Sequence, residues 1–199
     1  MRSWADCEFP QMPLIDTTSW QPWQLPYEHG MLVIWPPDSE RQYINTFRAK
    51  HDPVSQDICE AHITVTQPFL SIPSDDTWAA ISDVLAYCGV FEVQYGPVRS
   101  FLPSPVIWLE IQPSSTIFAL RNALHDTSAF DLTLPHTDDF IVHMTLTGGL
   151  SGNDVDEALL NRLKSEVNPG SFTCSEVAYL QPNSAFQFLV QRILPLGTA

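Results

Sequence analysis

The 199-residue chain is 44% apolar and only 16% charged, enough to bury one large core or two small lobes without staples, which excludes a disordered tail. Its 23 Asp and Glu against nine Lys and Arg leave a formal charge of -14, which opposes long nucleic acids and anionic membranes but not a small anion held by a few aimed donors. Cys7, Cys59, Cys88 and Cys174 show no CxxC or finger spacing, and no leader-like or 18-residue apolar run occurs, so a cytoplasmic, monomeric protein with reduced thiols is expected.

Residues 1–28 carry Trp4, Trp20, Trp23, Tyr27 and four prolines without a helical or alternating period. They read as an extended aromatic arm on the body, serving as a structural clamp or as a lid over a ligand. Residues 29–199 read as one domain. "GMLVIWPP" gives a buried strand from Met31 to Trp35, and Asp38 or Ser39 can cap a helix that presents Tyr43, Ile44 and Phe47 and ends before Pro53. "AHITVTQPF" reads as a second strand. A helix capped near Ser74 follows, with Trp78, Ile81 and Leu85 on its apolar face and Gly89 at its end, and then the strands "FEVQY" and "VIWLEI".

"SSTIFALRNALHD" spaces Ile117, Leu120 and Leu124 as a helix and leads into the strand "IVHMTLT". Asp154 can cap a further helix striped by Val155, Leu159, Leu163 and Val167 and stopped by Pro169 and Gly170. "FTCSEVAYL" and "FQFLVQRILPL" close the chain around a turn at Pro182 and Asn183. A motif strand, a helix and two strands thus occur twice, which implies an α+β fold of two pseudo-symmetric lobes facing each other, each an antiparallel sheet with helices outside.

The repeated elements are the pentads "HITVT" at His62 to Thr66 and "HMTLT" at His143 to Thr147. Strand alternation puts His62 with Thr64 and Thr66 on one face, and His143 with Thr145 and Thr147 on the other copy's face, above an apolar underside. Two imidazoles flanking one ligand can act as base and acid, and Thr64 and Thr145 can donate to phosphoryl oxygens without adding charge. Thr66 and Thr147, at the strand ends, read as structural.

On these two His-x-Thr-x motifs, His62-Ile63-Thr64-Val65 and His143-Met144-Thr145-Leu146, the chain resembles the two-histidine phosphoesterases, a group that includes the 2'-5' RNA ligase-like proteins and cyclic nucleotide phosphodiesterases. The likeness covers about residues 30–196 and includes Pro68-Phe69 after the first motif and the closing "VAYL" and "FQFLVQRILPL" segments. It implies two lobes about a pseudo-two-fold axis with the motifs facing across a cleft, and needs no metal or cofactor. It further implies hydrolysis of a 2',3'-cyclic phosphate or a short RNA-end phosphodiester, with His62 and His143 as acid and base, Thr64 and Thr145 on the phosphate, and Phe69 placed to touch base or ribose. Gln67 stands where a glycine often precedes Pro-Phe and Val142 where proline is common, which bears on ligand shape more than on chemistry.

Other residues read more plainly. His29, His51, His125 and His136 are expected to be solvated or capping, Asp138-Asp139 an exposed loop charge, and Trp108, Tyr179 and, motif aside, Phe69 core. Arg99 and Arg121 are the few cations mid-chain that an RNA end can meet. Two rival functions remain: a non-catalytic nucleotide- or RNA-end-binding module on the same scaffold, and a metal enzyme built on His62, His143 and Asp131 or Asp139. The second lacks an HExxH or any close histidine pair.

Overall fold

The computed structural model describes residues 15–197, so Trp4 and Cys7 of the arm lie outside the described residues. The elements run β1 (Met31–Ile34), α1 (Asp38–His51), α2 (Pro53–Ile58), β2 (Ile63–Thr64), α3 (Asp75–Ala86), β3 (Phe91–Ser100), β4 (Ile107–Gln112), α4 (Ser114–His125), β5 (His143–Thr147), α5 (Glu157–Glu166), β6 (Gly170–Cys174), β7 (Glu176–Pro182) and β8 (Phe188–Pro195). Antiparallel pairing arranges the strands in two sheets, β2-β1-β7-β8 and β5-β4-β3-β6, flanked by helices in a two-lobed α+β architecture. Among the described residues no helix is long and apolar enough to cross a membrane.

The lobes exchange strands. β3 follows the first motif yet pairs with β4 of the second sheet, and β7 follows the second motif yet pairs with β1 of the first. "FTCSEVAYL", which reads as one strand, is two: the chain leaves the second sheet at Cys174 and enters the first at Glu176. A continuous apolar alternation fixes which residues face inward but not which sheet they join. The exchange is why one apolar cluster, with Ile34 and Tyr179 from the first sheet and Leu109 and Phe172 from the second, serves both lobes. Each motif strand ends up at the edge of its own sheet, and β2 lies near β5.

Helix ends follow local chemistry, with differences from the sequence reading. Ser74 caps α3 as expected, its Oγ accepting the Thr77 N–H. Asp38 and Ser39 instead lie inside α1, whose N-cap is Pro37, and the Asp38 carboxylate faces the positive helix end from the first turn. Asp156, not Asp154, caps α5 through a 2.8 Å bond from Leu159 N. Pro53 does not merely end α1 but opens α2 at the first helical position, where its missing N–H costs nothing. Gly30, at φ 74°, admits the arm to β1, since a Cβ there would strike the Leu180 carbonyl.

Asp52, between α1 and α2, is fully buried and joins distant segments. Its carboxylate accepts seven hydrogen bonds: from N and Oγ of Ser55, Oγ1 of Thr147, N of Gly148 and Leu150, and N and Oγ of Ser151. Burial works to raise its pKa, but the bonds from Ser151, Ser55 and Gly148 outweigh it and hold the group far below the ordinary carboxylate range. The stabilisation is therefore complete above the unfolded value of about 3.9 and is lost as the pH falls toward the depressed folded value. Asp52→Asn turns an amide toward N–H donors and is expected to lower stability by roughly 2–4 kcal/mol in urea unfolding at pH 7; an unchanged midpoint would show that the loop after β5 does not depend on this carboxylate.

Candidate active site

The two histidines are held by the same device. His62 immediately precedes β2, and its Nδ1 lies 2.7 Å from the carbonyl of Glu60; His143 opens β5, and its Nδ1 lies 2.6 Å from the carbonyl of Ile141. In both, the partner is the carbonyl two residues earlier. A carbonyl can only accept, so Nδ1 carries the proton and Nε2 is left with a lone pair. Cys59 Sγ sits 3.2 Å from His62 Nδ1 as a second neighbour, while His143 stands among the rings of Phe101, Trp108 and Phe140, with centroids 5.8, 5.9 and 6.4 Å away.

Buried arginines hold the motif strands themselves. Arg48 of α1 donates to the carbonyl of Thr145 at 2.7 Å, and also to those of Ser55 and Cys59. Arg121 of α4 donates to the carbonyl of Val65 at 2.8 Å with its guanidinium 4.1 Å from the Phe140 ring centre. One turn along α4, His125 Nε2 accepts the N–H of Gln67. Arg121 is 2% exposed, so it is not a cation open to an RNA end, and His125, expected to be solvated or capping, is buried; both fix the chain beyond the first motif.

Thr64 and Thr145 follow their histidines by two residues on the same strand faces and are half-buried, and their hydroxyls make no hydrogen bond within the described residues. Thr66 and Thr147 are structural: Thr66 Oγ1 accepts Leu32 N–H, and Thr147 Oγ1 bonds Asp52. A cavity of about 170 Å³ brings His62 of one lobe together with Thr145 of the other and is lined by Arg48, Cys59, Trp23 and Tyr27. Phe69 does not reach it. Its ring is 2% exposed and packs on Phe130, Tyr179 and Trp78, so its place after the motif is a core position.

Asp139 engages the exposed His136 rather than either motif histidine, and Asp131 closes a turn on Thr133. Arg99 pairs with Glu110 on the exposed face of the second sheet. Among the described residues no group of three or more His, Cys, Asp or Glu side chains stands close enough to hold a metal ion. Sequence reasoning missed Arg48, Asp52 and Cys59. The only signal for them was the density of polar residues between two apolar strands, which equally describes a solvated helix.

Residues 35–185 match the family model described as the 2'-5' RNA ligase superfamily. Solved structures share the fold at low identity. E. coli LigT complexed with NADP+ superposes with a TM-score of 0.57 at 20% identity, covering 86% of this chain and 98% of that one. E. coli LigT complexed with 3'-AMP gives 0.55 at 22%, covering 85% and 98%, and the Thermus thermophilus protein TT0787 gives 0.57 at 14%, covering 84% and 97%. No curated protein matches the chain.

Electrostatics make both imidazoles weak bases. Burial pushes His62 down to about 4; the Glu60 carbonyl opposes the change, while the positive charge of Arg48 and the neighbouring His143 add to it. His143 is lowered by burial against the pull of the Ile141 carbonyl. His125 is also pushed to about 4, by burial and then by Arg121. At neutral pH the free protein therefore holds both motif histidines uncharged. Below about 6.5 the unfolded chain binds protons that the folded chain refuses, so stability falls as the pH drops from there toward 4. Imidazole NMR shifts should place the His62 midpoint near 4 and that of His143 below 6.5; two midpoints at or above about 6.5 would contradict this account of the site.

Proposed function

The chain belongs to the 2'-5' RNA ligase superfamily, and on that premise we propose that it is a metal-independent phosphodiesterase hydrolysing a small 2',3'-cyclic phosphate or a short RNA-end phosphodiester. The observation that carries the reading is the pair of identically oriented imidazoles, each with Nδ1–H on a carbonyl and a threonine two residues on. In the reaction, one imidazole Nε2 takes a proton from water as its oxygen attacks phosphorus. The other gives a proton to the ribose oxygen as the P–O bond breaks. Thr64 and Thr145 donate to the non-bridging oxygens, and proton exchange with solvent restores the pair.

Because both imidazoles are neutral in the free protein, the acid partner must take up its proton from solvent as the substrate binds. A phosphate anion beside an imidazole favours its charged form, which reverses the depression that burial and Arg48 impose. Ligands found in structures of E. coli LigT, namely NADP+, ATP, phosphate and 3'-AMP, fit a nucleotide-sized substrate here.

The test is turnover of nucleoside 2',3'-cyclic phosphates with and without EDTA. His62→Ala and His143→Ala should each lower kcat by roughly 10²–10⁴-fold, and Thr64→Ala or Thr145→Ala by about tenfold, with EDTA without effect. The bell of kcat/KM against pH should lie on the acid side of about 6.5, since the free protein's imidazoles titrate there. Full activity in either single histidine variant would remove the paired mechanism.

A further inference from the structure

The residue that follows the first pentad reaches the approach to the second. Gln67 comes directly after Thr66, and its side-chain Nε2 donates to Thr137 Oγ1 at 2.8 Å and to the Pro135 carbonyl at 3.2 Å. Its own backbone is well fixed, since its N–H donates to His125 Nε2 at 3.1 Å. The next residues are laced to the chain after α4, with Asp131 N on Pro68 O, Leu70 N on Ala129 O and an antiparallel bridge between Phe69 and Phe130. A half-buried amide on so rigid a base has a fixed reach. A glycine at this position would have no side-chain donor to extend.

The amide holds the segment 132–141, which leads into β5 without helix or strand and with most of its side chains exposed. Internal bonds shape it: Thr137 Oγ1 donates to the Leu134 carbonyl, and His136 faces Asp139. Among the described residues, the two bonds from Gln67 are the only hydrogen bonds between residues 132–140 and the rest of the chain. Phe140 then rests on Phe118 and on the Arg121 guanidinium. The segment ends at the Ile141 carbonyl, which accepts the Nδ1 proton of His143. An exposed segment with few apolar contacts opens locally at low cost, so this carbonyl depends on what pins the chain just upstream. The matching carbonyl of Glu60, beside His62, has firmer support from α1. The Glu60 carboxylate accepts from Arg41 and Asn45, and the Ala61 N–H donates to Asn45 Oδ1.

We propose that Gln67 is a positioning residue for His143: by pinning Pro135 and Thr137 it keeps the Ile141 carbonyl in place, and with it the imidazole proton on Nδ1 and the lone pair on Nε2. The tail of the first motif thereby sets the proton position in the second. Its effect on turnover rests on the function proposed above; the proton position itself does not.

Two-bond 1H–15N NMR of the imidazoles at about pH 8, where both are uncharged, reads which nitrogen carries the proton. The wild type should show His143 in a single Nδ1–H form. Gln67→Met, of similar length but without a donor, should give His143 a mixture of tautomers and leave His62 unchanged. It should also speed amide exchange across 132–141 roughly tenfold, with thermal unfolding little altered. Thr137→Val, which removes one partner, should move His143 in the same sense, and Gln67→Lys, which keeps a donor, should restore the single form. Turnover of a nucleoside 2',3'-cyclic phosphate by Gln67→Met should show kcat lowered about tenfold and KM little changed. If the wild type turns over no such substrate, the function proposed above falls while the tautomers still decide the role of Gln67. A single Nδ1–H form of His143 in Gln67→Met, or an equal disturbance of both histidines, would overturn the proposal.

Discussion

A buried guanidinium bonded to a main-chain carbonyl of each motif strand is the constraint from which the site's geometry follows. Edge strands have one unpaired side and are the least restrained elements of a sheet. Here both motif strands are edges, and Arg48 and Arg121 bond carbonyls at Thr145 and just past β2 at Val65. The arginines are crossed: α1 follows β1 of the first sheet and reaches β5 of the second, whereas α4 follows β4 of the second and reaches the end of the first motif. Each half of the chain therefore positions the other half's histidine. Truncating either arginine would leave a buried carbonyl without its donor, a cost borne where the histidines must hold their spacing.

The same arginine sets the electrostatics. Arg48 carries a charge whose hydration is replaced by three carbonyls, with Asp52 and Glu60 as nearby countercharges, and burial lowers its pKa. Its field helps keep His62 neutral and thus able to accept a proton. Asp52 stands one helical turn beyond Arg48 and ties the loop after β5 to the junction of α1 and α2. One helix end thus carries both the cation that tunes the first histidine and the carboxylate that anchors the loop leaving the second.

Much of this is legible in the sequence, for reasons that also explain what is not. The strands at Met31 and Ile107 follow from short apolar runs, which report burial on both faces, and the helices at Asp75 and Ser114 from periodicity, which reports one-sided burial directly. The pentads announce themselves by repetition. Periodicity says nothing about sheet membership, so the break at Ser175 between two sheets is invisible to it. Burial of a charge is not written in its residue type: Arg121 and His125 resemble surface residues until the chain beyond β2 is seen to need a donor and an acceptor from them. Phe69 is drawn outward by its place after a motif and is held inward by three aromatic neighbours. In the arm, aperiodic sequence does not separate Trp20, which fastens, from Trp23, which faces the cavity.

A chain of charge -14 that offers a place to an anion is not contradictory once distance is considered. Exposed carboxylates act through water and salt, which weaken their field over about 8–10 Å, so they repel a long phosphate chain that must lie along the surface. A ligand small enough to enter the cavity leaves that field behind. It meets instead the neutral His62 imidazole, the Thr145 hydroxyl and the buried Arg48 guanidinium, whose charge is poorly screened. Surface charge and site charge therefore select in the same direction, toward a short anion.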